Sequence, residues 1–264
     1  VGNINEYQVC ICETTFGGRR ELQDTTGIID YGSLIYITLQ RSKSAREAID
    51  VMTKLVDEYG YNSSGESFSV CDKNEGWILE MVGKGSDEKG AVWVAVRVPD
   101  DCICAHANQS RITKFPLKDK ENCLYAKDVI SYARKHGYFE GKDEDFSFRD
   151  AYDPGNIGRR RTCDARVWSF FRKFDKAMDN YLPYLEKDES ISELPLYIKP
   201  DHKATLREIK EYMRDHYEDT PLDLRYDVGA GGWQMPYRPS PLSFNDNEGK
   251  KYFNERPIST QQSA

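Results

Sequence analysis

The residues best able to do chemistry fall into two sets. One is a group of thiols: Cys10 with Cys12, and Cys102 with Cys104, followed closely by His106. Cys-X-Cys on a strand puts both sulfurs on one face, and a nearby histidine would extend such a pair toward a zinc set. Structural zinc sites favour Cys-X2-Cys turns, however, and the sequence has no such knuckle. The seven cysteines are an odd number scattered through apolar stretches, unlike a small disulfide scaffold. The expectation is buried, protonated thiols and no metal. The second set is cationic. Arg19, Arg20 and Arg111 could each receive a carboxylate through paired N–H bonds, although charged turns are common. Asn108, Arg166 and Glu13 have plain readings as well: a turn residue bonding its own backbone, a helix ion pair, and a strand-end carboxylate.

The elements that must hold these residues follow from periodicity. Tyr7–Glu13 alternates as a strand, with Val9 and Ile11 on one face. Ser33–Leu39 is a second apolar, β-branched run, read as a strand. Ala45–Tyr59 has helical spacing, a capping box from Ser44 to Glu47, and Gly60 as its stop. Phe68–Cys71 and Trp77–Val82 form a hairpin across Asp72–Gly76, and Ala91–Val98 with Cys102–Ala107 forms another across Pro99–Asp101. One helix among antiparallel hairpins predicts an α+β fold. Further on, helices are expected over Leu124–His136, Thr162–Met178 and Thr205–Tyr217, the last with a Thr205–Glu208 capping box. Long Pro- and Gly-rich connections follow. The expected layout is one domain: a strand core over 1–115, helices and long loops packed on or inserted into it over 116–255, and the start of a return to the core over 256–264.

Of the 264 residues, 39% are hydrophobic and 31% charged. That is lean for an independent globule and suits a piece of a larger protein or a domain with long polar loops. A net charge of −7 without a basic stripe argues against nucleic acid as the main partner. The Arg159–Arg161 run reads as a solvated or carboxylate-paired turn. No apolar run approaches the roughly 20 residues that cross a bilayer. Composition leaves the compartment open and allows a homo-oligomer.

The segment Asn5-Glu-Tyr-Gln8 followed by Glu13-Thr-Thr-Phe-Gly-Gly-Arg19 resembles a block of a dipeptidase family of N-terminal-nucleophile cysteine hydrolases, relatives of the secernins. Gly27–Ile37 with Ser44–Ala48, then Ala107–Ile112, Asp201–Tyr217 and Ile258–Gln262 resemble further blocks in the same order, so the similarity covers most of the chain. The resemblance implies a four-layer αββα sandwich, incomplete here, and a nucleophile that is the first residue of the mature enzyme. That cysteine's α-amine acts as base, dipeptides are cut through a thioester, and no metal or organic cofactor is needed. It also implies that Asn108 donates to the oxyanion and that Arg166 tunes the thiol. Glu13, Thr14 and Thr15 would lie where the second strand turns toward the active site, with Glu13 suited to a dipeptide's ammonium. Arg19 and Arg111 stay candidates for its carboxylate. The chain opens with Val1, without the family's upstream Cys-Thr-Asn-like segment, so the expectation is an internal fragment, inert alone. Two other readings are carried: an acylamide hydrolase of penicillin-like or bile-acid-like amides, and a non-catalytic scaffold that keeps the fold. Glu13 with the Thr14–Thr15 pair favours a small zwitterionic substrate.

Overall fold

The computed structural model describes residues 2–86, 88–155, 159–185, 193–226, 232–234, 243–245, 247–249 and 251–253. The chain divides into two compact units, residues 1–155 and 156–264. The change of pattern near residue 115 is therefore not where the units part.

The first unit is α+β. Strands β1 (Gly2–Ile4), β2 (Cys10–Gly17), β3 (Gly65–Cys71), β4 (Gly76–Gly83) and β5 (Ala91–Val98) lie side by side in sequence order. A two-residue strand β6 (Ile103–Cys104) lies outside this sheet, and β7 (Cys123–Tyr125) closes it as the sixth strand, antiparallel to β5. Cys102–Ala107 thus does not form the predicted hairpin with β5. The register between β5 and β7 is Val94 to Tyr125 and Val96 to Cys123.

Ser33–Leu39, expected as a strand, lies inside helix α1 (Tyr31–Arg41). Asp30 starts it, its carboxylate accepting from Ser33 N at 2.9 Å and Ser33 Oγ at 2.9 Å. Leu34, Ile35, Thr38 and Leu39 are its buried residues, a helical spacing that outweighs the β-branched character of Ile35, Ile37 and Thr38. Helix α2 (Ala45–Tyr59) keeps its predicted bounds and ends at Gly60, whose φ of 75° suits glycine. Only half of its capping box forms: Ser44 Oγ accepts from Glu47 N, while Glu47 accepts from Lys43 N. Asp72 joins the hairpin turn to this helix, accepting from Asn74 N and Glu75 N in the turn and from Ala45 N.

Leu124–His136 is a helix only in its later part, α3 (Val129–Lys135), because its first residues complete β7. A short helix α4 (Phe148–Tyr152) ends the first unit's regular structure. The core lies between one face of the sheet and α1 and α2: Ile11, Phe68, Val70, Trp77, Leu79 and Met81 meet Leu34, Ala48, Ile49 and Met52. Two adjacent layers of the expected sandwich, helices and sheet, are thus in view.

Asn5 explains part of the opening block. Its amide donates to Leu39 O and Ser42 O, both at 2.8 Å, and its oxygen accepts from Tyr7 N and Val9 N. This clamps the β1–β2 turn, where Gln8 has φ 66°, to the end of α1. Strand β2 begins after that turn, three residues later than the alternation predicted.

In the second unit the stretch Thr162–Met178 is broken into a π-helical turn over Arg160–Asp164, an α-helix over Ala165–Arg172 and a 3-10 helix over Lys176–Tyr181. The predicted stripe Val167, Trp168, Phe171, Phe174 and Met178 is buried throughout. Leu206–Tyr212 is helical, with both halves of the Thr205–Glu208 capping box present. The Gly-rich 228–231, the Pro-rich 235–242 and the terminal block 254–264 lie outside the described residues.

Candidate functional site

Pairing register decides which candidate side chains share a face. Thr15 lies opposite Glu66, which lies opposite Met81; Thr14 lies opposite Ser67, which lies opposite Glu80. Side chains alternate along a strand. Glu13, Thr15 and Glu66 therefore share the helix-covered face with Phe68 and Leu79, while Thr14, Ser67, Ser69 and Glu80 occupy the other.

On the helix-covered face, Glu66 has no exposed surface and accepts from Thr15 Oγ1 at 2.8 Å. Its second oxygen is buried without a donor. Burial, and then the neighbouring Glu13 carboxyl, pushes Glu66 up to about 8 against the one lowering bond from Thr15. At neutral pH Glu66 is therefore mostly protonated, and it shares this end of the sheet with Glu13. Gly65 makes room here. A Cβ at that position would stand 2.1 Å from the Phe16 ring.

On the opposite face, the imidazole of His106 bridges two strands, with Nδ1 2.6 Å from Thr14 Oγ1 and Nε2 2.8 Å from Ser69 Oγ. Desolvation and the nearby Arg111 charge lower its pKa to about 4, so the ring is neutral over the physiological range. Glu80 is also wholly buried, yet both of its oxygens are met by donors. Oε1 accepts from Ser67 Oγ (3.1 Å) and Arg111 N (2.5 Å); Oε2 accepts from Ser110 Oγ (2.5 Å) and Ile112 N (3.2 Å). Burial raises this carboxyl and the four donors pull against that rise.

Asn108 leads into the segment that Glu80 holds. It is exposed, its φ is 56°, and its Nδ2 donates to Thr15 O at 2.7 Å. Asparagine tolerates this left-handed backbone better than most residues. The bond to Thr15 O ties the carboxamide to the end of β2. The structure thus brings Asn108, Glu13, Thr14 and Thr15 to one end of β2.

The cations are placed differently. Arg19 Nε donates to Ala151 O at 2.6 Å, and the guanidinium lies 4.1 Å from the Tyr138 ring centroid and 3.8 Å from Glu21. It ties the end of β2 to α4. Arg111 is buried, and its backbone N is one of the donors to Glu80. Arg166 belongs to the second unit, where its Nε donates to Thr162 O at 2.7 Å.

The thiols partly depart from expectation. Cys12 is exposed and Cys10 half-buried, with sulfurs 3.9 Å apart, on the sheet face turned away from α1 and α2. Both acidities are nonetheless weakened, chiefly by partial burial, as is that of Cys71; Cys104 and Cys123 are pushed up to about 12 by the same cause. Among the described residues no group of three or more His, Cys, Asp or Glu is arranged to hold a metal ion. A cavity of about 480 Å³, lined by Lys118, Tyr125, Ile130, Arg134 and Glu144 among others, includes none of the candidate residues.

The sequence reading overlooked Glu66 and Glu80 and considered His106 only as a metal ligand. A lone glutamate inside the apolar Trp77–Val82 run was the available signal, since a buried carboxyl needs partners. Glu66 had a weaker one, because the strand was placed from Phe68 onward and its first residues were left out.

The sequence matches the model of peptidase family C69 over residues 1–264. The chain belongs to peptidase family C69. It is 28% identical over 234 residues to a probable dipeptidase of Salmonella dublin, covering 86% of this chain and 50% of that protein. A dipeptidase of Bifidobacterium longum is 28% identical over 225 residues, 81% of this chain and 40% of its own. Dipeptidase A of Lactobacillus helveticus is 25% identical over 225 residues, 85% and 44% respectively. The chain spans about half the length of the curated relatives it matches, or less.

Proposed function

We propose that this C69 protein acts as a cysteine-dependent dipeptidase, hydrolysing the peptide bond of dipeptides through a thioester. Names of relatives in the family support the substrate class. The observation that carries the reading is Asn108: an exposed carboxamide on a left-handed turn, anchored to Thr15 O beside Glu13 and Glu66. In this reading the nucleophile is the N-terminal cysteine of the mature enzyme, activated by its own α-amine. The weakened acidities of Cys10, Cys12, Cys71, Cys104 and Cys123 support that, since an activated thiol has a lowered pKa. The thiolate adds to the peptide carbonyl, Asn108 Nδ2 donates to the oxyanion, the amine leaves protonated, and water hydrolyses the thioester. Glu13 offers an acceptor to the substrate's ammonium.

The test uses the intact enzyme. Dipeptides should be hydrolysed and thiol alkylation should stop the reaction; turnover indifferent to alkylation would sink the mechanism. Asn108→Gly, which keeps the left-handed backbone without strain, should lower kcat by roughly 10²–10³-fold, the usual loss for one oxyanion donor. KM should change little, because the charge it meets exists only in the transition state. An unchanged kcat would remove Asn108 from the site.

A further inference from the structure

We propose that Glu80 is a positioning residue, whose carboxylate sets the geometry of the Asn108 turn from the opposite side of the segment it holds. This rests on the reading of Asn108 as oxyanion donor. Four consecutive residues after Asn108, namely Gln109, Ser110, Arg111 and Ile112, are buried, whereas Asn108 itself is exposed. A segment with this pattern is a tether with a working end. Glu80 takes three bonds from the tether: Ser110 Oγ, Arg111 N and Ile112 N all donate to it, and Ser67 Oγ fixes the carboxylate from β3. Further bonds come from the end of the first unit. Ser110 N donates to Asp153 Oδ2 at 3.0 Å, and Arg149 N donates to Ile112 O at 2.9 Å.

The chemistry selects a carboxylate for this task. Two backbone N–H groups and two hydroxyls converge on two oxygens, so all four acceptor positions are used. An amide at this place would turn an NH2 toward at least one donor. Bonds of this kind keep a catalytic donor within a fraction of an ångström, and a misplacement of about 1 Å can cost on the order of 10²-fold in rate.

The test is a double-mutant cycle in the intact enzyme, with Glu80→Gln, Asn108→Gly and their combination, assayed on a dipeptide. Glu80→Gln alone should lower kcat roughly 10–100-fold with KM nearly unchanged. Added to Asn108→Gly it should lower kcat little further, because the residue it positions is already gone. Hydrogen exchange at the Arg111 and Ile112 amides should accelerate in Glu80→Gln. Should Glu80→Gln fold poorly, Ser110→Ala removes one donor and leaves the carboxylate; it should show a smaller kcat loss, again absent in the Asn108→Gly background. Full additivity of either variant with Asn108→Gly overturns the proposal, as does faster amide exchange with normal kcat. A normal kcat for Asn108→Gly alone instead overturns the functional reading beneath it.

Discussion

Glu66 and Glu80 sit on neighbouring strands, both without exposed surface, and face opposite sides of the same sheet. One has a single hydroxyl donor among the described residues and a buried oxygen with none; the other has two hydroxyls and two backbone N–H groups. The difference comes from what covers each face. Helices α1 and α2 present apolar side chains, since their own backbone groups are spent inside the helices. The segment 108–112 belongs to no regular element, so its N–H groups are available to a side chain. Burial alone therefore does not decide what a carboxyl does. A carboxyl with a single donor holds a proton, and one surrounded by donors organises the chain around it.

The largest expected effect is on Glu80. Replacing it with Gln should destabilise the protein by roughly 2–3 kcal/mol, because at least one buried donor then faces an NH2. Glu66→Gln should cost far less at low pH, where Gln imitates the protonated acid. Urea denaturation of both variants at about pH 5 checks the ordering; equal losses would show that donors do not distinguish the two sites.

The next effect is on pH dependence. Glu66 is raised from 4.5 to about 8 on folding, so the folded protein keeps a proton that the unfolded chain releases. Its contribution to stability is full below about pH 4.5, declines as pH rises, and levels off above about 8. His106 acts in the opposite sense: lowered from 6.5 to about 4, it makes the fold lose stability as pH falls through that window. Subtracting the stability of Glu66→Gln from that of the unmodified protein at each pH isolates the first slope. A difference that does not change between pH 5 and 8 would mean that Glu66 is ionised in the fold.

The smallest effects separate the single donor from one of four. Thr15→Val removes the one hydroxyl on Glu66, should cost about 1 kcal/mol, and should move the stability decline to higher pH. Ser67→Ala removes one donor of Glu80, should cost about 0.5–1 kcal/mol, and should leave that decline where it was. Thermal melts across the pH range distinguish the two.

What the sequence determined by itself is local. Helix α2, the Asp72–Gly76 hairpin, strand β5 and the Thr205–Glu208 capping box were legible, because each is set by spacing, caps and turn residues within a few positions. The alignment of Asn108 with Glu13, Thr14 and Thr15 came from resemblance to family blocks, not from periodicity. Only the tertiary structure decided the rest. Ser33–Leu39 became helical because Asp30 caps it and its buried positions meet a sheet face that the local pattern does not contain. Leu124 went to a strand because β5 had an open edge for it. The two buried glutamates became opposites because register, a property of paired strands, sent one toward helices and the other toward a loop rich in unspent N–H groups.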